Sequence, residues 1–308
     1  MAAIQVAREA IADAGWSGPE LRDAALFLGT SRGTSDGGVE PWPRRRAFPL
    51  MAASNSLHCE PAAAISIELG IHGPWQVQAS GCAAGLDALG MASLWLRAGL
   101  AKRALVVAVD LPLSPFLLDA YASTGILSRN GVNDPYSPET SGILPAEAAA
   151  AIAVEQGDDP ASPKLAGYHA NADAANAIDM PAGAPGLVAL LEEAARRFGP
   201  PAALCPHASG TASNSAREPA AITAALGSTL LCPLKPFTGH GIGGGGLLET
   251  AILAAFLRGG SLPPPLPGIT RPAPPAMTPA ALPSAAVVFK IASALGGKNS
   301  LIALLAPP

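Results

Sequence analysis

The feature that most constrains this chain is its repeated alternation of short apolar strands with helices. LRDAALFLGTS (21–31), WQVQAS (75–80), ALVVAVD (104–110) and EAAAAIAVE (147–155) read as strands, as do KLAGYHANAD (164–173), ALCPHAS (203–209) and TLLCPLK (229–235). AAVVFKIASAL and NSLIALL close the chain as two further strands. Between them, helical spacing predicts helices over 3–14, 50–69, 83–100, 186–198, 218–226 and 244–259. Strands and helices in this order argue for an α/β layered fold with a largely parallel sheet. The turn-rich GDDPASP (157–163) separates residues 1–156 from 157–308, two halves alike in kind. A chain of 308 residues can bury one large core or two fused half-domains.

Composition removes several classes of function. Apolar residues make up 49% and charged residues 14%, a globular balance and not a disordered one. A net charge of −4 gives no basic face for nucleic acid. No apolar run reaches the roughly 18 residues of a membrane span, and the opening MAAIQVAREAIADAG, with Glu9 and Asp13, reads as an amphipathic helix and not a signal peptide. Cys59, Cys82, Cys205 and Cys232 form no C-x-x-C pair, so zinc and thioredoxin-type readings fail, and reduced cytoplasmic thiols are expected.

Cys82 falls between a predicted strand and a predicted helix. A thiol there faces the positive end of the helix dipole, which favours the thiolate. Gly81 and Gly85 permit a tight turn and close approach, and backbone N–H groups at a helix start can hold an oxyanion. Location alone fits both a nucleophile and a buried thiol at a strand end. Of the five histidines, His207 ends ALCPH before a small polar loop, and His240 ends LKPFTGH before GIGGGG. Strand ends with small-residue loops are the usual site geography of open α/β sheets; each alone could equally be a loop histidine.

Three other motifs fail on inspection. Gly241, Gly243 and Gly246 match a dinucleotide fingerprint, but no Asp or Glu follows between Thr250 and Pro308 to hold a ribose. GGKNS (296–300) lacks the early Gly and the Ser or Thr of a phosphate loop. Ser80 and Ala84 stand where a hydrolase elbow needs glycine.

Taken in order, the remaining motifs resemble those of the ketosynthase branch of the thiolase-fold condensing enzymes. ASGCAAGLDAL around Cys82 is similar to the nucleophile motif, and HASGT (207–211) to the histidine motif H-G-T-G-T. LKPFTGHGIGGGGLLE resembles K-S-x-x-G-H-x-x-G-A-A-G, with Lys235 five residues before His240. Glu218 falls where the family has an acidic residue, and ALGGKN (294–299) resembles the closing G-F-G-G-T-N. YASTGILSRN before DPYSPETSG resembles the segment joining the half-domains.

The resemblance implies a thiolase-like layered αβαβα fold of two similar half-domains. It implies that Cys82 takes an acyl group from a carrier-protein or coenzyme A thioester. His207 and His240 would activate a malonyl-type extender for decarboxylative condensation in fatty-acid or polyketide biosynthesis. Lys235 and Glu218 would support the histidines, the N–H groups of Cys82 and Leu295 would form the oxyanion hole, and Ser209 and Thr211 would contact the phosphopantetheine arm. No metal or redox cofactor is implied. Acyl carrier protein is the implied partner, with homodimerisation or pairing with another ketosynthase. The run Arg44–Arg46 reads as a solvated loop or as a docking patch for the acidic carrier; unchanged carrier turnover after changing all three to Ala would end the second reading. Two alternatives are an acyltransferase without condensation and a non-catalytic partner similar to a chain-length factor.

Departures from the family pattern are also visible. Ala208 and Ser209 replace Gly and Thr, Leu295 replaces the gating Phe, and Lys298 replaces Thr. Met1 opens directly on a helix, so the first half is expected to lack the family's usual first strand, taken to be central in its sheet.

Overall fold

The structure, a computed structural model, describes residues 1–33, 52–270 and 282–308. Two compact units are present. The first comprises Met1–Thr124, Ala146–Gly157 and Gly241–Leu248; the second comprises Gly125–Pro145, Asp158–His240 and Glu249–Pro308. A division at residue 156 therefore misses two segments, Gly125–Pro145 and Gly241–Leu248, each of which packs with the other half of the sequence.

In the first unit, α1 (Ala2–Ala14) and a short α2 (Gly18–Arg22) lead into β1 (Ala25–Gly29). The expected helix over 50–69 is two pieces, α3 (Ala52–Asn55) and α4 (Glu60–Leu69). Pro61 in the first turn of α4 suits a helix start, because its missing N–H costs nothing there. Next come β2 (Trp75–Gln78), a 3₁₀ turn (Gly81–Ala83), α5 (Ala84–Arg97), β3 (Arg103–Asp110), α6 (Pro115–Ser123) and β4 (Ala148–Glu155). The sheet runs β2-β1-β3-β4, with β4 antiparallel to β3 and the other pairs parallel. Leu26 and Leu28 face α1 and α4 together with Ala7, Ile11 and Ile65. Phe27 points to the opposite face, as a strand's period of two requires, and meets Trp95 of α5 edge-on at 5.4 Å.

The second unit contains β5 (Lys164–Ala172), α7 (Pro185–Phe198), β6 (Ala203–Cys205), α8 (Ala212–Leu226), β7 (Leu230–Leu231) and a one-turn α9 (Lys235–Thr238). Then follow α10 (Ile242–Arg258), whose residues from Glu249 belong to this unit, β8 (Val287–Ala294) and β9 (Lys298–Leu305). Its sheet runs β5-β9-β8-β6-β7. Leu187, Leu190 and Leu191 of α7 and Ile222 of α8 bury against Leu204, Phe289, Ile291 and Leu301.

The two sheets share one plan. In each, a central strand has two parallel neighbours, and one of those neighbours pairs onward with an antiparallel strand. Thus β1, β2, β3 and β4 correspond to β6, β7, β8 and β9. The strand without a counterpart is β5, and β5 lies at an edge, bonded to β9 alone. The expectation of a missing central strand is corrected accordingly: among the described residues the first sheet is shorter by an edge strand, and no gap opens within its ladder.

Candidate active site

In the first unit, Cys82 sits half-buried in the 3₁₀ turn that enters α5. Gly81 takes a positive φ of 59°, a conformation that a side chain would oppose. The turn is braced by Ser80, whose hydroxyl donates to Asp87 at 2.5 Å. Backbone packing around it is tight: a Cβ at Gly85 would lie 2.9 Å from the carbonyl oxygen of Gly243 and from the N–H nitrogen of Leu247. Asp110 at the end of β3 accepts from the Thr30 hydroxyl, the Ser31 N–H and, at 2.7 Å, the Gly243 N–H. Burial raises the carboxyl pKa of Asp110, and these donors partly offset that.

In the second unit, His207 and His240 are brought together with ring centroids 5.3 Å apart, nearly perpendicular. They are 5% and 3% exposed. His207 follows β6, where Pro206 ends the ladder sooner than the expected strand 203–209. Glu218, fully buried on α8, holds this loop through its backbone. It accepts from the His207 N–H at 2.7 Å, the Ala208 N–H at 2.8 Å and the Tyr136 hydroxyl at 3.1 Å. Ala208 is thereby fixed at a φ of 45°, a left-handed conformation that favours the glycine of the family motif. Ser209 and Thr211 are engaged with each other at 3.1 Å; the Ser209 N–H also bonds Asn214, and Thr211 caps α8.

His240 follows α9, and its N–H donates to the Leu144 carbonyl at 2.8 Å. Lys235, at the start of α9, donates to Glu249 Oε1 at 2.8 Å. Lys290, in the middle of β8, donates to Glu249 Oε2 at 2.5 Å and to the Pro206 carbonyl at 3.1 Å. Cys205 adds a thiol donor to the same carboxylate at 3.7 Å.

The electrostatics of this cluster have one direction. Burial first, then Lys235, His240 and Lys290, push His207 well below the ordinary histidine pKa. Burial and Lys235, with Lys290 adding and Glu249 opposing, bring His240 down to about 3. Both imidazoles are therefore neutral at neutral pH. Burial would raise Glu249, but the two lysines outweigh it and hold the carboxylate ionised.

His207, His240, Lys235 and Glu218 thus share one buried cluster. Lys290 and Glu249 join it without having been singled out in the sequence. Leu295 sits half-exposed on the β8–β9 turn, with no hydrogen bond to either histidine among the described residues. Asp173 ties this turn down: its N–H bonds Gly297, and it accepts from Asn299 at 2.9 Å. Arg44–Arg46 lie outside the described residues.

Comparison with known proteins agrees with this arrangement. Residues 1–159 match the model of the beta-ketoacyl synthase N-terminal domain, and residues 164–268 that of the C-terminal domain. The chain belongs to the beta-ketoacyl synthase family. It is 28% identical over 222 residues to the tetracenomycin polyketide synthase ketoacyl synthase alpha subunit of Streptomyces glaucescens, covering 65% of this chain and 51% of that one. The chain therefore spans about half the length of that curated relative. Among solved structures, the ishigamide ketosynthase/chain length factor is similar with a TM-score of 0.87 and 21% identity over 99% of this chain and 81% of that one. A type II polyketide ketosynthase solved in complex with its acyl-carrier protein and bound to the hexaketide gives 0.85 and 22%, over 99% and 84%. At such identity the structural likeness shows the fold alone, a mixed α/β thiolase-like one. No described helix is long and apolar enough to cross a membrane.

Proposed function

We propose that this chain is a ketosynthase of polyketide type, condensing an acyl thioester with a malonyl-type extender. The observation that carries the reading is the buried His207–His240 pair, held neutral with rings 5.3 Å apart. Each neutral imidazole keeps one N–H donor and one lone pair. Such donors, in a site closed to water, are suited to the oxygen of a thioester carbonyl as negative charge develops there.

In the proposed sequence the Cys82 thiolate attacks the acyl thioester carbonyl. The carbonyl–sulfur bond to the carrier breaks, and the proton lost by Cys82 ends on the departing carrier thiol. A malonyl thioester then loses carbon dioxide, and the electrons of the broken carbon–carbon bond pass into its carbonyl as an enolate. His207 and His240 donate to that oxygen. The enolate carbon attacks the acyl carbonyl on Cys82 and expels the thiolate, giving a β-ketoacyl thioester. The N–H groups of Cys82 and Leu295 serve the tetrahedral oxygen in this reading, and Ser209 and Thr211 the pantetheine arm. Release of carbon dioxide drives the reaction, so the chemistry asks for no metal or redox cofactor.

The partners proposed are an acyl carrier protein and either a second copy or another ketosynthase-type subunit, in the cytoplasm. The carrier and chain-length-factor complexes among similar structures support the partners. The four free cysteines suit a reducing compartment. Incubation with acyl thioester and malonyl-coenzyme A tests the activity: carbon dioxide and a β-ketoacyl product are expected, and neither would form if the reading fails. A stable, active homodimer on sizing would count against an obligate second subunit.

A further inference from the structure

Lys290 has no role in the mechanism above, yet it is a fully buried cation in the middle of an apolar strand. Its neighbours Phe289 and Ile291 pack into the α7–α8 core, so Lys290 projects from the opposite face of the sheet. An unpaired ammonium there would be prohibitive. It is paired with Glu249 Oε2 at 2.5 Å, and it also donates to the Pro206 carbonyl at 3.1 Å.

That carbonyl and the His207 N–H belong to one peptide group. The N–H end donates to Glu218 at 2.7 Å. The peptide that carries His207 is thus held at its oxygen by a buried cation and at its nitrogen by a buried carboxylate. Hydrogen bonds to charged groups are the strong ones, and Pro206 fixes φ on the near side.

We propose that Lys290 is a positioning residue for His207, clamping the Pro206–His207 peptide against Glu218 and tying it through Glu249 to Lys235. The inference rests on the reading of His207 and His240 as the pair that activates the extender. The charges balance, with Lys235 and Lys290 against Glu249 and Glu218, all buried. The groups around His207 are Lys235, Lys290, His240 and, through the backbone, Glu218, to which Tyr136 also donates. Burial opposes protonation of His207 most, and the two lysines and His240 add to it. Losing the Lys290 cation therefore moves the acid limb of any histidine-dependent step to higher pH.

Two variants separate the clamp from the charge. Lys290→Gln keeps a donor for Pro206 without the charge, and Lys290→Met removes both. Each is compared with the wild type in three measurements: hexanoyl loading of Cys82 by intact mass, carbon dioxide release from malonyl-coenzyme A between pH 5 and 8, and thermal unfolding. Lys290→Met is expected to lose about tenfold in carbon dioxide release, the weight of one charged hydrogen bond, with loading of Cys82 within about twofold. Lys290→Gln is expected to lose less at pH 8, and to lose activity at higher pH than the wild type on the acid side. If Lys290→Met does not fold, Lys290→Gln decides alone. A folded Lys290→Gln with the wild-type rate and acid limb overturns the inference, as does a parallel fall of loading and release. If the wild type releases no carbon dioxide, the functional reading fails, and amide hydrogen exchange at His207 still decides the clamp. Faster exchange of the His207 N–H in Lys290→Met than in the wild type supports it; unchanged exchange overturns it.

Discussion

Two histidines buried neutral make the stability of this protein depend on pH in a definite way. In the unfolded chain each titrates near the ordinary value of about 6.5. In the folded chain burial and the nearby lysines hold His207 well below that and His240 at about 3. The folded pKa is the lower one, so the stability is complete above about pH 6.5 and is lost as pH falls below it, because only the unfolded chain takes up the protons. A histidine held neutral in this way costs up to about 1.4 kcal/mol per pH unit below its unfolded value. Between pH 6.5 and 4.5 His240 alone removes about 2.3 kcal/mol, and His207 acts in the same direction. Asp110 and Glu218, both raised, gain protons in the folded state and act in the opposite sense. The sharper quantity is therefore a difference between variants. His240→Gln removes one of the two proton deficits, so its unfolding free energy should fall by about 2.3 kcal/mol less than the wild type over the same interval. Urea unfolding of both proteins at pH 6.5 and 4.5 measures this. Parallel losses, within about 1 kcal/mol, would refute the buried neutral histidine, since a gap of about 1 kcal/mol is well below the roughly 2.3 kcal/mol expected.

Two further outcomes follow from packing. Gly85→Ala would place a methyl group 2.9 Å from the Gly243 carbonyl oxygen and the Leu247 nitrogen, both backbone atoms that cannot step aside. It should cost about 1–3 kcal/mol of stability by thermal unfolding, and a neutral effect would mean that the approach of α5 to α10 is looser than described. Glu218→Gln replaces an acceptor oxygen by a donor facing the His207 N–H or the Ala208 N–H. A loss of about 2–4 kcal/mol is expected, with a fall in malonyl decarboxylation, and a stable, fully active variant would remove Glu218 from the support of His207.

Much of the architecture was legible because strand and helix periods differ so plainly. Even the alanine-rich β4 was readable as a strand, its apolar run being continuous enough for a sheet. The boundaries that shifted have local causes. The expected strand over 229–235 reduces to Leu230–Leu231, because the chain turns into the one-turn helix at Lys235. The expected helix over 218–226 begins at Ala212, with Thr211 as its cap, since Pro219 inside a helix reads as a start in sequence. The expected helix over 244–259 begins two residues earlier, at Ile242, in spite of its glycines. A Cβ at Gly243 or Gly244 would collide with Asp110 or with the Ala148 carbonyl, so tertiary packing overrides propensity there.

Motif order pointed to Cys82, both histidines, Lys235 and Glu218 as candidates. Glu249 and Lys290 were not singled out: Glu249 closes the LKPFTGHGIGGGGLLE stretch beyond the matched motif positions, and Lys290 lies in an apolar strand with no motif around it. The one available signal was a lone charge within each apolar run, the pattern that burial permits only when a partner exists. The missing strand was placed wrongly because strand order in a sheet is a tertiary fact, visible only when the two sheets are superposed by their pairing.

Cys82 is proposed to carry the acyl group. Intact mass of the pure protein after incubation with an acyl thioester, beside Cys82→Ala, tests this. One acyl adduct is expected on the wild type and none on the variant. An adduct on both proteins, or none on either, would overturn that role for Cys82.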